Sequence, residues 1–169
     1  IFYTDGGGVG YVRGDSPVGP WHDDLGQKMF TSKSEGCEGV KWCFDPAVLA
    51  DDKGNAYIYF GGGNDEEKYV QTGRVCKLKF EKGTGIVSPD GIPKTLDTFC
   101  FFEDGEINQI DGKYIYSYCT NWDVKEDTPY VGAVQIAAYV SSDPMNICFF
   151  PDKIGKTKFT DEENVEHNY

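Results

Sequence analysis

Long apolar runs, helical periodicity and positive charge are all scarce in this sequence of 169 residues. No apolar run approaches the ~20 residues that a membrane-spanning helix needs, and no segment has the composition of a signal peptide. Lysine and arginine number 16 against 28 acidic residues, which gives a net charge of −12. Nucleic acids and anionic membranes are bound through basic side chains, so this charge argues against both as partners. Cytoplasmic and secreted locations both stay open.

Cysteine spacing of the metal-binding type is also lacking. The six cysteines, at positions 37, 43, 76, 100, 119 and 148, include no Cys-x-x-Cys pair, and four of them lie in or beside apolar runs of strand length. Cysteine is among the residue types most often fully buried. We therefore expect buried free thiols rather than disulfides or a zinc site.

Glycine and aromatic residues are abundant. The chain has 21 glycines and 15% aromatic residues, a mixture that favours short strands joined by tight turns. Apolar runs of strand length recur at 9–12, 47–50, 56–60, 75–80, 114–118, 134–140 and 147–150. Turn-forming stretches separate them, among them 6–8, 51–54, 61–65 and 110–112. The sequence therefore predicts an all-β meander.

A repeat of 58 residues organises these strands. Asp45 is followed nine residues later by a glycine and a tyrosine-rich strand, and Glu103 is followed in the same way. Segments 9–17 and 136–144 also align without a gap, and each is a strand that ends in a proline turn. Repeats of ~40–60 residues with about four strands are typical of β-propeller blades, whose innermost strands line a central channel. An acid at the same point of two such strands would face that channel.

The repeat divides the chain into blades. We predict the end of a first blade at 1–30, a second blade at 37–95, a third at 97–150 and the start of a fourth at 151–169. Closed propellers typically have about 4 to 8 blades. Since about three blades do not close a ring, we expect further chain, or a second copy of this chain, to complete it.

Three motifs in this order resemble glycoside hydrolase family 43. Gly-Asp-Ser-Pro-Val-Gly-Pro-Trp at 14–21 is similar to the family's Ser-Asp-Ser-Pro-x-Gly-Pro-aromatic turn. The run from Phe44 to Gly61 is similar to its second-blade signature, and the run from Phe101 to Tyr118 to its aromatic-Glu strand and following hairpin. The resemblance implies a five-bladed β-propeller, of which this chain holds about three blades.

The resemblance also implies an inverting glycosidase with three acids. The family has an Asp general base on the first blade, an Asp on the second that raises the pKa of the acid, and a Glu general acid on the third. Position by position, Asp45 takes the second role and Glu103 the third. No residue here matches the base, since Asp5 and Asp15 lie in turns. The implied activity is removal of terminal arabinofuranose or xylose from plant hemicellulose, with an oligosaccharide or polysaccharide as substrate.

The chemistry of inverting glycoside hydrolysis requires a protonated general acid and a general base. A general acid must keep its proton near neutral pH, and both a neighbouring negative charge and burial beneath Phe101 and Phe102 disfavour the ionised form of Glu103. Inversion then needs a base about 6.5–9.5 Å from the acid, which leaves room for the attacking water. Glu106 is an alternative candidate for the general acid. It lies three residues after Glu103, so the two-residue period of a strand places its side chain on the face opposite to that of Glu103.

Ligand-binding roles follow for several other residues. The aromatic side chains expected near the acids can stack on a sugar ring, with core packing as the alternative; they are Trp42, Phe44, Phe102 and Trp122. The chemistry requires no cofactor. His167 resembles the histidine that helps to hold a central ion in many family members, so a structural calcium ion in the channel is a further expectation. A plain loop histidine is the alternative.

Other functions stay open at this stage. An endo-arabinanase would differ from an exo-acting enzyme in having unblocked channel ends, which the sequence does not reveal. A carbohydrate-binding propeller that has lost catalysis would explain the missing base. A homo-oligomer in which two chains complete the ring would supply the base from the partner.

Overall fold

The computed structural model describes residues 1–63, 71–98, 101–120 and 136–147, and the backbone of two strands at 158–160 and 166–168. Every regular element in these ranges is a β-strand, as predicted. The described part of the chain has no helix long and apolar enough to cross a membrane. In chain order the strands are β1 (Phe2–Asp5), β2 (Gly8–Tyr11), β3 (Arg13–Gly14), β4 (Trp21–His22), β5 (Ala47–Ala50), β6 (Ala56–Phe60), β7 (Arg74–Phe80), β8 (Val87–Pro89), β9 (Lys94–Thr95), β10 (Phe101–Ile110), β11 (Lys113–Thr120), β12 (Ile136–Ser141), β13 (Lys158–Thr160) and β14 (Glu166–Asn168).

The strands form antiparallel sheets that follow one another along the chain. One sheet has the order β5-β6-β7-β8, and β9 pairs with the other end of β7, so the sheet is four strand positions wide. The next sheet has the order β10-β11-β12. The pairs β1-β2, β3-β4 and β13-β14 form two-stranded sheets. Consecutive antiparallel sheets of this kind are the organisation of propeller blades.

Tight turns join the strands within each sheet. Residues 6–7 join β1 to β2 and residues 111–112 join β10 to β11, with φ angles between 49° and 81°. Two consecutive positive φ values are typical of the type I′ turn, whose twist matches that of the strands. The β5–β6 turn is longer, and Asp51 Oδ1 accepts hydrogen bonds there from the backbone N–H groups of Lys53 (3.0 Å) and Asn55 (2.7 Å). The predicted turns at 6–8, 51–54 and 110–112 therefore close hairpins, whereas the one at 61–65 extends outside the described residues.

Strand β6 is buried on both faces, between two hydrophobic clusters. Ala56, Ile58 and Phe60 pack into a cluster with side chains of β2 and β7. Tyr57 and Tyr59 pack into a second cluster with side chains of β10 and β11. Side chains alternate across a strand, so a sheet covered on both faces must be apolar at successive positions. This explains the continuous apolar run at 56–60, and it shows that the β5–β9 sheet packs against sheets on both sides.

Hydrogen bonds also join the ends of neighbouring sheets. The N–H of Cys43 donates to the Gly7 carbonyl at 3.3 Å, and the N–H of Gly63 donates to the Phe102 carbonyl at 3.0 Å. The first bond lies just before β5 and the second lies near the start of β10. Both strands therefore begin at fixed positions relative to the preceding sheet.

A buried arginine fixes the segment that leads into β5. Arg74, on β7, is only 4% exposed. Its guanidinium donates to the carbonyls of Gly36 (2.7 Å), Glu38 (2.7 Å) and Gln71 (2.8 Å). A buried cation is tolerated when its donors find acceptors, and these carbonyls, with that of Gly73 at 3.0 Å, accept four hydrogen bonds from the guanidinium. The contacts hold the segment in front of Asp45 against the sheet.

Observed and predicted strands agree closely. β5 and β6 have the predicted bounds, whereas β2 begins one residue earlier and β7 is one residue longer. The short strands were not predicted, because two or three residues carry no periodic pattern; they are β3, β4, β8, β9, β13 and β14. Ile147 lies outside any strand, and 148–150 lie outside the described residues. The two larger sheets fall within the predicted second and third blades, whose exact boundaries stay predictions.

Free cysteines were expected, and the four described cysteines are free. Cys37, Cys43 and Cys76 are buried, whereas Cys119 is only half-buried. The other two cysteines lie outside the described residues.

Candidate functional site

Asp45 lies two residues before the start of β5, in a left-handed backbone conformation. Its φ of 49° is uncommon for a residue other than glycine, although Asp and Asn tolerate it best. Its N–H donates to Oγ1 of Thr4 on β1 at 3.0 Å. Its Oδ2 accepts from the N–H of Asp104 on β10 at 3.3 Å. The half-buried Asp45 carboxylate therefore lies where the β5–β9 sheet meets the β10–β12 sheet, a boundary that we call the seam.

Glu103 lies near the start of β10, beside a β-bulge. Glu103 pairs with Cys119 and Glu106 pairs with Ser117, so residues 104–105 together face a single residue of β11. Such an extra residue bends the strand and shifts its alternation. Because Cys119 and Ser117 are two residues apart, Glu103 and Glu106 lie on the same face. The prediction that Glu106 lies on the opposite face was therefore wrong, since it assumed an unbroken two-residue period.

Burial and like charge both raise the pKa of Glu103. Desolvation is the largest cause, followed by the charges of Asp104 and Asp45. Desolvation also raises the pKa of Asp45; the Asp104 N–H lowers it and the Asp104 charge raises it. Glu103 thus keeps its proton to a higher pH than an ordinary glutamate. An acid of this kind suits proton donation near neutral pH.

Three of the predicted sugar-binding aromatics lie together. Trp42 contacts Phe44 edge-on, with ring centroids 5.6 Å apart, and Phe102 edge-on at 6.4 Å. Two glycines make room for them: a Cβ on Gly62 would overlap the Phe44 ring, and a Cβ on Gly63 would lie 2.8 Å from the Trp42 ring. Trp42 remains 40% exposed. Its indole can therefore stack on the apolar face of a sugar while its partners fix its orientation.

A polar cavity of about 250 Å³ lies beside Asp45, and neither Glu103 nor the three aromatic residues is part of its wall. Its wall includes Thr4, Asp45, Asp104 and Glu106. Three of these side chains are acids, so the cavity suits a neutral polyol better than an anion. A larger cavity of about 520 Å³ around Trp21 includes neither of the predicted catalytic acids in its wall.

Sequence reasoning missed three neighbours of the acids. Thr4 comes from the preceding sheet, and nothing in its local sequence signals the contact. Cys119 lies opposite Glu103, and its Sγ is 3.9 Å from Oδ2 of Asp104. Asp104 did carry a signal, because an Asp-Gly pair is typical of backbone at positive φ. The φ of Asp104 is 55°.

Two predicted site residues lie wholly or partly outside the described residues. Trp122 lies outside them, and only the backbone of His167, in β14, is described. Among the residues whose side chains are described, no group of three or more His, Cys, Asp or Glu could hold a metal ion. The stacking role of Trp122 and the calcium site with His167 stay predictions.

Two curated proteins with similar sequences have the same name. The chain is 38% identical over 167 residues to an arabinoxylan arabinofuranohydrolase of Paenibacillus polymyxa, across 95% of this chain and 26% of that protein. It is 40% identical over 129 residues to the protein of the same name from Bacillus subtilis (strain 168), across 72% of this chain and 24% of that protein. The chain thus spans about a quarter of the length of these relatives. No family profile matches the chain.

Solved structures show the same fold. The family 43 arabinoxylan arabinofuranohydrolase from Bacillus subtilis, in complex with cellotetraose, superposes with a TM-score of 0.72 at 37% identity, over 83% of this chain and 30% of that one. An α-L-arabinofuranosidase from Clostridium thermocellum gives a TM-score of 0.67 at 33% identity, over 85% and 43%. The sheets are therefore blades of a partial β-propeller of the five-bladed type. The chain belongs to glycoside hydrolase family 43, as its motifs indicated.

Gly105 is expected to be indispensable to the bulge beside Glu103. A Cβ at this position would overlap the buried Tyr116 hydroxyl, which has no hydrogen-bond partner among the described protein groups. Gly105→Ala should therefore destabilise the protein by roughly 1–3 kcal/mol, as overpacking does. Tyr116→Phe removes the overlapping oxygen and should recover part of the loss. Thermal unfolding midpoints of the two single variants and the double variant measure the effect.

Gly73→Ala is the matched control. Gly73 is also a buried glycine, but a Cβ there would meet its nearest neighbours at 3.4 Å or more. An equal loss of stability in both alanine variants would show that the Tyr116 contact does not set the shape of the bulge.

Proposed function

We propose that this chain carries the general acid and the pKa-modulating acid of an inverting glycoside hydrolase that removes terminal arabinofuranose or xylose from plant hemicellulose. The observation that carries this proposal is the seam between two blades, where Asp45 binds the backbone beside Glu103. The two relatives of 38% and 40% identity are named arabinoxylan arabinofuranohydrolase, which favours arabinofuranose, and two relatives of 27% and 29% identity are named xylosidase/arabinosidase.

Glu103 acts as the general acid in this proposal. It transfers its carboxylic proton to the glycosidic oxygen as the bond from that oxygen to the anomeric carbon breaks. A water molecule attacks the same carbon from the opposite face and gives its proton to a general base, so the configuration inverts. The raised pKa of Glu103 keeps the proton available for the first of these transfers.

The general base is not assigned to a residue of this chain. Asp5 lies 3.7 Å from the ammonium group of Lys28, and Asp15 lies 3.8 Å from the guanidinium of Arg13. Neither aspartate lines the cavity beside Asp45. In this proposal neither Asp5 nor Asp15 is the base, which lies outside the described residues.

The aromatic group of Trp42, Phe44 and Phe102 binds the sugar in this proposal. Trp42 offers the exposed face and the two phenylalanines hold it. A propeller that only binds carbohydrate would need this aromatic face but not a glutamate with a raised pKa. The electrostatics at Glu103 therefore favour catalysis over binding alone. No described feature favours an endo-arabinanase.

The first prediction concerns the leaving group. In the complete active protein, Glu103→Gln should lower kcat for alkyl or natural pentosides by roughly 10²–10⁴-fold, because their leaving oxygen needs a proton. Aryl pentosides with acidic leaving groups should lose much less. Steady-state kinetics on a matched pair of substrates measure the difference.

Two further variants sharpen this test. Glu106→Gln addresses the rival acid on the same face, and Glu35→Gln is a control because Glu35 is exposed and lies before β5. If Glu106→Gln alone shows the leaving-group dependence, Glu106 is the acid. Equal losses on both substrates for Glu103→Gln would remove Glu103 from the acid role.

The second prediction concerns Asp45. Asn tolerates the left-handed backbone and can still accept the hydrogen bond from residue 104, so Asp45→Asn removes mainly a charge. Without that charge the pKa of Glu103 falls, and the acid loses its proton at lower pH. The alkaline limb of the kcat–pH profile should therefore move to lower pH. An unmoved limb would leave Asp45 with a structural role only.

A further inference from the structure

Asp104 contributes two separate features to the site. Its backbone forms the bulge of β10, with φ 55°, and this directs its N–H to Oδ2 of Asp45 at 3.3 Å. Its exposed side chain lies in the wall of the same cavity as Asp45. One residue therefore holds one catalytic carboxylate by its main chain and places a further carboxylate beside both acids.

We propose that Asp104 is a positioning residue for the acid pair: its bulged backbone holds Asp45 beside Glu103, and its carboxylate supplies a second negative charge to the surroundings of Glu103. This inference rests on the proposed function, and it adds a residue to which neither the repeat nor the family motif gave a role.

The groups around Glu103 support this assignment. On the same strand the near neighbour is Asp104, and Glu106 shares the face one step further along. Two residues of the elements packed against β10 also lie beside Glu103. Asp45 precedes β5, and Cys119 belongs to β11. The charge of Asp104 raises the pKa of Glu103 more than that of Asp45 does, although less than desolvation. Sγ of Cys119 lies 3.9 Å from Oδ2 of Asp104.

The charge and the backbone can be tested separately in the complete active protein. Asp104→Asn keeps a residue that tolerates positive φ and removes the charge. It should move the alkaline limb of the kcat–pH profile to lower pH at low salt, at least as far as Asp45→Asn does. Because the side chain is exposed, the shift should shrink by about half or more in ~1 M salt, where the Debye length is ~3 Å. Asp104→Gly removes the same charge and serves if the Asn variant does not fold.

The role of the backbone is tested by comparing Asp104→Ala with Asp104→Gly, both of which lack the carboxylate. Glycine adopts positive φ freely whereas alanine does not. The alanine variant should therefore have a kcat roughly threefold to tenfold below that of the glycine variant at every pH, since misplacing a catalytic group lowers the rate. Its KM should change less than its kcat.

Asp111→Asn is the matched control. Asp111 is also an aspartate at positive φ, 49°, but it lies in the turn at the far end of β10. Its variant should leave the pH profile unmoved. Two results would overturn the inference. One is an alkaline limb that Asp104→Asn moves no more than Asp111→Asn does. The other is an equal kcat in Asp104→Ala and Asp104→Gly. If Glu103→Gln retains full activity on alkyl pentosides, the proposed function fails instead.

Discussion

The hydrogen bond between the Asp104 N–H and the Asp45 carboxylate crosses the seam between two blades, and the geometry of the candidate site depends on it. It forms because both residues adopt left-handed backbone, at φ 49° and 55°. Aspartate is one of the few residues that tolerate this conformation. Residues held in sparsely populated conformations cluster at functional sites, because the surrounding structure must over-determine them. Here the packing of β6 against both neighbouring sheets provides that constraint.

The same seam explains the electrostatics of the site. Packing brings carboxylates from two blades to a place where water is partly excluded, so desolvation and like charge act in the same direction on Glu103. Neither blade alone would produce this combination, because the charge of Asp45 comes from the preceding sheet. The aromatic group spans the same seam, since Trp42 and Phe44 precede β5 and Phe102 belongs to β10. The proposed acid, the proposed modulator and the aromatic group therefore depend on one packing arrangement.

Much of this arrangement could be predicted from the sequence. The repeat of Asp45 and Glu103 carries positional information, because equivalent points of successive blades are related by rotation about one axis. The strands β5 and β6 have the predicted bounds because their apolar runs end at clear turn residues. The face of Glu106 could not be predicted, since a bulge adds one residue to a strand without changing its hydrophobic pattern. The contact of Thr4 with Asp45 could not be predicted either, because it joins positions 41 residues apart.

The central claim is that the seam makes Glu103 an acid that keeps its proton. A ¹³C NMR titration of the Glu103 carboxyl carbon, in complete protein labelled at glutamate and assigned with the Glu103→Gln variant, measures this directly and without substrate. The account predicts a titration midpoint above ~4.3, the usual value for glutamate. A midpoint at or below that value would show that burial and neighbouring charge do not hold the proton, and it would contradict the account.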